Sequence, residues 1–268
     1  MKRTVRIILC VCLLSLFVGG CQVNPVTGEN EFNIFSVEQQ EAMGKKYAGQ
    51  VEKELGKSVT DPVVQNYVDG VGQKIAAVCH TPSEGFEYNA IDHNSVNAFA
   101  LPGGYIYITT GMLKQLNSEA QLAGILAHET AHVTARHSAV TMSRGLLIGL
   151  GMEVVAGAGN SVAYNVANIV GQLEGMRYSR AHERQADKIG LDYLVRAGYT
   201  PDGMVETMQI LNSQPGGRPF EFLSTHPNPA NRIEYIQEDI YNKRYSKYRG
   251  SGRVGKTEYQ SNVLNRLP

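Results

Sequence analysis

His128, Glu129 and His132 stand in the spacing H-E-x-x-H, a pattern whose residue types suit metal-assisted hydrolysis. Residues i and i+4 lie one turn apart on the same face of a helix. Two imidazoles placed so can converge on one metal ion at about 2.0–2.1 Å. A glutamate directly after the first histidine projects to the side where an attacking water must stand, and there it can act as the base. The bland alternative is a core helix with two unrelated histidines. Burying two histidines and a glutamate on an apolar helix without a shared purpose would be costly.

Two ligands do not complete such a site. A catalytic zinc takes three protein ligands and keeps one position open. In one large class the third ligand is the last histidine of H-E-x-x-H-x-x-G-x-x-H. Here Ala135 and Ser138 stand where that Gly and His belong, which excludes the class. His137 is five residues past His132, about 500° of helix and well off the ligand face, so it reads as a structural or supporting residue. The better third ligand is Glu183, within residues 178–187, YSRAHERQAD. Glu183 and Asp187 are also spaced i, i+4, so one can bind metal while the other holds a ligating imidazole by its second nitrogen. His182 is the rival ligand, but its helical face would lack such a partner. Two histidines and a carboxylate suit zinc, one ion per chain.

These side chains need a helix and a scaffold. Ser118 with Gln121 forms a capping box, and the helix that follows, residues 118–140, is rich enough in Ala and Leu to be the buried central helix. Upstream, Ser36 with Gln39 opens a helix that runs to Gly56, and Asp61-Pro62 opens another. Residues 86–92 read as a strand. Residues 97–113, NAFALPGGYIYITTGML, carry a run of strand formers from Tyr105 to Thr110 behind a Pro102-Gly103-Gly104 turn. A helix over residues 178–196 stops at Gly198; others begin at Thr200-Pro201-Asp202 and cover residues 228–242. Residues 145–171 are interrupted by Gly and read as helical segments or a mobile loop near the cleft. The polar tail from Ser246 reads as loosely ordered. The expected fold is α+β, mostly helical, with a small antiparallel sheet beside the H-E-x-x-H helix, in a single domain over residues 36–268.

The bulk figures narrow the context. The 268 residues carry no formal net charge, so no broad field points to nucleic acid. Lys2, Arg3 and Arg6 precede an apolar run over residues 7–18, then Gly19 and Gly20. This reads as a secretory signal over residues 1–20, too short for a membrane span. Its loss removes three basic residues and no acidic ones. Val18-Gly19-Gly20-Cys21 resembles a bacterial lipoprotein box, which makes Cys21 the lipid-bearing mature N-terminus and residues 21–35 a tether. Cys10 and Cys12 leave with the signal, so Cys79 remains alone and no internal disulfide is available. Cys79 reads as a buried apolar residue in a helix.

The segments NPVTGENEFNIFS, NAFALPGGYIYITTGML, HETAHVTARHS, YSRAHERQAD and STHPNPANRI together resemble the gluzincin metallopeptidase family of HtpX and the CAAX prenyl protease. They are most similar to its soluble periplasmic lipoprotein branch. The resemblance implies His128, His132 and Glu183 as zinc ligands and Glu129 as base. It implies that the segment beginning at Asn97 and Ala98 forms an edge strand that pairs with extended substrate. His226 and Arg232 match a further family motif. His226 is then a fourth ligand that keeps the enzyme latent, or a stabiliser of the oxyanion, or simply a helix-entry histidine bonded to backbone. Arg232 contacts substrate or oxyanion, or forms a structural ion pair. The implied substrates are unfolded or misassembled envelope proteins, met at the periplasmic face of the outer membrane. The chain lacks the long apolar spans of the membrane members, which argues against prenyl-protein cleavage. A lipid-anchored chaperone or assembly factor that seldom cleaves is the alternative.

Overall fold

The computed structural model describes residues 20–156, 177–213, 220–226, 229–241, 244–248 and 250–268. The expected signal, apart from Gly20, and most of the Gly-interrupted stretch lie outside the described residues. Strands β1 (Cys21–Val23) and β2 (Asn30–Phe32) pair antiparallel. Helices α1 (Val37–Glu54) and α2 (Pro62–Ala76) follow. Strands β3 (Glu87–Ile91), β4 (Ala98–Ala100) and β5 (Tyr105–Thr109) lead into a single turn, α3 (Thr110–Leu113). The H-E-x-x-H helix is α4 (Glu119–Thr134), and α5 (His137–Ala156) follows it directly. Then come α6 (Arg180–Arg196), α7 (Asp202–Asn212), the short α8 (Phe222–Thr225), α9 (Pro229–Tyr241) and α10 (Lys256–Tyr259).

Local chemistry sets these boundaries. The Ser36–Gln39 capping box forms in full at the start of α1. Asp61 accepts from Val63 N at 2.8 Å with Pro62 in the first turn of α2. Gly198 ends α6 at φ +87°, a left-handed cap that costs Gly little. Every residue of α4 is buried, with α6, α7 and α2 packed around it and the sheet beside it. Where α6 crosses α4, a Cβ on Gly190 would stand 3.1 Å from the backbone of Ala127 and His128. That glycine lets the second helix come close enough to reach the first histidine.

Four features differ from the sequence reading. The three-stranded sheet has the order β3-β5-β4 and is mixed: β4 pairs antiparallel with β5, but β3 pairs parallel with it. The hairpin signal was local, whereas the parallel pairing depends on how residues 92–97 cross over. The expected tether, residues 21–35, is an ordered hairpin. Asn24 accepts from Val26 N and donates to Ala135 O at the end of α4, and Ser143 of α5 accepts from Ile34 N. The helix over residues 118–140 breaks at Arg136, which takes φ +59° and pairs with Glu84. The tail is not loose: Tyr259 and Val263 are fully buried, and the Tyr259 hydroxyl donates to Leu113 O. Cys79 is buried as expected, just past the end of α2. No helix among the described residues is long and apolar enough to cross a membrane.

Candidate metal centre

Helix α4 presents His128 and His132 on one face, and their Nε2 atoms stand 3.0 Å apart. Helix α6 brings Glu183 to them. Its Oε1 lies 3.3 Å from His132 Nε2, and its Oε2 lies 3.6 Å from His128 Nε2. A fourth donor comes from the turn after α8. His226 Nδ1 is 3.2 Å from His128 Nε2 and 3.0 Å from Glu183 Oε1. Atoms sharing a tetrahedral ion at about 2.0–2.1 Å stand roughly 3.3 Å from one another. The four donors lie within 4.8 Å of one another and all four residues are buried. Their spacing and donor types therefore fit zinc.

The charge balance fits as well. Among the described residues, Glu129, Glu183 and Asp187 face one buried guanidinium, Arg232, so a divalent cation would make the cluster neutral with its histidines uncharged. Without one, burial raises the pKa of Glu129. Both of its carboxylate oxygens are buried without a hydrogen bond, and His226 Nε2 stands 3.6 Å from its Oε1. Burial works against the charged form of Glu183 too, but attraction to His226 and Arg232 and hydrogen bonds from His132 and His226 hold it well below the usual range. Burial would lower the pKa of His226, yet Glu183 and Glu129 facing it drive it upward. A metal ion takes over what that proton supplies.

The histidine rings of the cluster are braced from behind. Asp187 Oδ1 is 3.0 Å from His128 Nδ1, and the same carboxylate accepts from the Tyr235 hydroxyl and twice from Arg232. Arg232 Nη1 also pairs with Glu183 Oε2 at 2.9 Å. Its guanidinium thus meets two carboxylates, as the ion-pair alternative expects. Tyr178 stacks on His132 with centroids 3.9 Å apart, and Phe222 stacks on His226 at 4.3 Å. His182, the rival ligand, is outside the cluster and stacks on His137.

Asn97 and Ala98 are fully buried at the start of β4. Strand β4 is at the edge of the sheet, but Phe222 N donates to Val96 O at 3.1 Å. The segment that carries His226 therefore lies across the entry to that edge. His137, expected to be structural or supporting, does stand behind a cluster histidine, and Gln185, without a role in the sequence reading, stands behind it in turn. His137 Nδ1 is 2.9 Å from His132 Nδ1, and Gln185 Oε1 is 2.6 Å from His137 Nε2. The helical-wheel angle for His137 assumed a continuous helix, and Ala135-Arg136 contains neither Gly nor Pro to signal the break.

Residues 62–240 match the sequence profile of peptidase family M48. The chain belongs to that family. Its M48 region holds all the donors described above, and both the family and the donor set fit a zinc metallopeptidase. The M48 chain is 28% identical over 250 residues to a putative beta-barrel assembly-enhancing protease of Vibrio cholerae, covering 87% of this chain and 51% of that one. It is 29% identical over 231 residues to the beta-barrel assembly-enhancing protease of Escherichia coli, covering 81% and 47%. It is also 29% identical over 221 residues to the mitochondrial metalloendopeptidase OMA1 of Schizosaccharomyces pombe, covering 80% and 65%. The chain thus spans about half the length of the first two.

Proposed function

We propose that the chain is a zinc-dependent endopeptidase of the bacterial cell envelope that hydrolyses unfolded or misassembled proteins. The observation that carries this reading is the bare, buried carboxylate of Glu129 beside the tetrahedrally spaced donors of His128, His132 and Glu183. Those three residues would hold the zinc, which would supply a Lewis acid for the peptide carbonyl and lower the pKa of water to about 7. Glu129 takes the proton of the attacking water and returns it to the leaving amine. A carboxylate with a raised pKa and no competing hydrogen bond suits both transfers. Asp187 fixes the His128 ring, and Arg232 holds Asp187 and Glu183 in place. The edge of β4, from Asn97 and Ala98, recognises substrate backbone by strand addition, which is weakly selective for side chains.

The resemblance of residues 18–21 to a lipoprotein box supports a lipid-bearing N-terminus at Cys21 and a location at the periplasmic face of the outer membrane. Two curated relatives named for β-barrel assembly support an envelope role. Cys21 is exposed at the start of β1, as an anchored residue must be.

A second reading, a latent assembly factor that seldom cleaves, is favoured by the placement of His226. Its Nδ1 stands where a fourth ligand belongs, and its segment covers the start of the substrate edge. Both readings are separated by cleavage of unfolded casein by the zinc-loaded protein, beside Glu129→Gln and His226→Ala variants. The peptidase reading expects the native chain to cut and Glu129→Gln to bind zinc without cutting. If His226→Ala cuts faster than the native chain, His226 is the latch. If all three bind zinc and none cuts, the peptidase reading fails.

A further inference from the structure

A chain of side chains behind the ligand face has no part in the hydrolytic scheme. His132 turns its Nε2 toward the ligand cluster, so its Nδ1 faces backward, and His137 Nδ1 stands 2.9 Å behind it. His137 Nε2 stands 2.6 Å from Gln185 Oε1. His182 lies flat against the His137 ring, with centroids 4.3 Å apart and an interplanar angle of 7°. The break at Arg136 is what turns His137 inward, since α5 starts afresh at that residue. The arrangement contrasts with His128, whose backward nitrogen meets the Asp187 carboxylate.

A neutral imidazole has one N–H and one lone pair. Two Nδ1 atoms facing each other at hydrogen-bond distance must therefore divide the roles. If His137 were the donor, His132 would carry its own proton on Nε2. That proton would point into the cluster, 3.0 Å from His128 Nε2 and 3.3 Å from Glu183 Oε1, and no lone pair would remain for a metal. The productive arrangement is the reverse, and it requires the His137 proton on Nε2. An amide oxygen accepts and cannot donate, so Gln185 Oε1 holds the proton there.

We propose that His137 and Gln185 act as a tautomer lock on His132, fixing its proton on Nδ1 and committing its Nε2 lone pair to the metal. Both are positioning residues. His137 meets His132 only at the nitrogen turned away from the cluster, and the lock is uncharged, unlike the Asp187 brace. The inference rests on the reading of His132 as a zinc ligand. Partners of this kind behind a ligating histidine are worth about 10–100-fold in metal affinity.

The test measures zinc affinity by chelator competition for the native protein and for His137→Phe, Gln185→Leu and Gln185→Glu. Melting of the zinc-free proteins shows which variants fold. Phe keeps a ring against His182 but offers no acceptor. The lock expects about 10–100-fold weaker zinc binding in His137→Phe, a smaller loss in Gln185→Leu, and near-native affinity in Gln185→Glu, whose carboxylate also only accepts. Should His137→Phe not fold, the Gln185 pair decides, because its side chain is only half-buried. Long-range nitrogen–proton correlation spectra of the zinc-loaded native protein give an independent reading. They should show His137 with its proton on Nε2. Native affinity in both His137→Phe and Gln185→Leu, or an Nδ1–H tautomer at His137, would overturn the lock while leaving the peptidase reading intact. A native chain that takes up no zinc would overturn both.

Discussion

Glu119 and Glu129 lie on the same buried helix, about three turns apart, and their surroundings are opposite. Glu119 begins α4 and is 1% exposed. It accepts from Tyr67 at 2.8 Å, Lys74 at 3.0 Å, Tyr199 at 2.6 Å and Arg253 at 2.7 Å. Burial alone would raise its pKa, but those four hydrogen bonds together pull it down to about 2. Glu129 is as deeply buried and has no hydrogen bond on either oxygen, so burial raises its pKa. One carboxylate is fully solvated by protein and holds the helix. The other has no donor to offset its burial, the setting in which the proposed general base stands. Burial of a charge does not by itself separate structure from catalysis; the number of donors facing it does.

The largest effect expected from this contrast is on chemistry. Glu129→Gln should lower the turnover of unfolded casein by about 10²–10⁴-fold, with zinc content unchanged. Its thermal unfolding should be no lower than that of the native chain, because an unpartnered buried carboxylate has been removed. A large loss of stability would erase the contrast.

Glu119→Gln should do the reverse. Its unfolding free energy should fall by about 3 kcal/mol, the low end for breaking a buried pair, because Lys74 and Arg253 are half exposed and can turn to water. Turnover per folded molecule should survive. The pH dependence sharpens the point. The folded pKa is about 2 and the unfolded value about 4.3, so the unfolded chain takes up the proton first as pH falls. The contribution of Glu119 is whole above about pH 4.3 and lost on the way down to about pH 2. Denaturant unfolding at a series of pH values should therefore show the native and Glu119→Gln stabilities converging through that window.

Smaller steps should follow the exposure of each donor. Tyr199→Phe removes a buried bond to a charged acceptor and should cost about 1.5 kcal/mol. Lys74→Met removes a donor whose side chain is 51% exposed and should cost about 0–1 kcal/mol. Equal losses from the two, read by denaturant titration, would mean that burial does not grade this network.

What was legible in the chain was what depends on helical spacing. His128, Glu129 and His132 follow from i, i+4 geometry, and Glu183 with Asp187 from the same rule on a second helix. The geometry found for Asp187 and His128 needed only the crossing permitted at Gly190. What depends on backbone departures was not legible. Arg136 adopts φ +59° without being Gly, and that single residue re-aims His137 onto His132. The parallel partner of β5 and the docked tail are long-range pairings, and their residues look locally like an ordinary strand and a polar loop. Gln185 carries no signal of its own, because its role exists only once His137 has been turned toward it.

Helix α4 is secured at both ends by distant parts of the chain. At its start, Glu119 N and Ala120 N donate to the carbonyls of Gly255 and Val254, and Glu119 meets Arg253 across 134 residues of sequence. At its end, Asn24 reaches Ala135 O across 111. A ribosome adding about 5–20 residues per second needs roughly ten seconds to supply the later of those partners after the helix itself is made. Through that interval the emerging polypeptide carries the full H-E-x-x-H sequence but not the contacts that organise it. The start of α4 is thus secured only once residues 253–255 have been made, long after the histidines it carries.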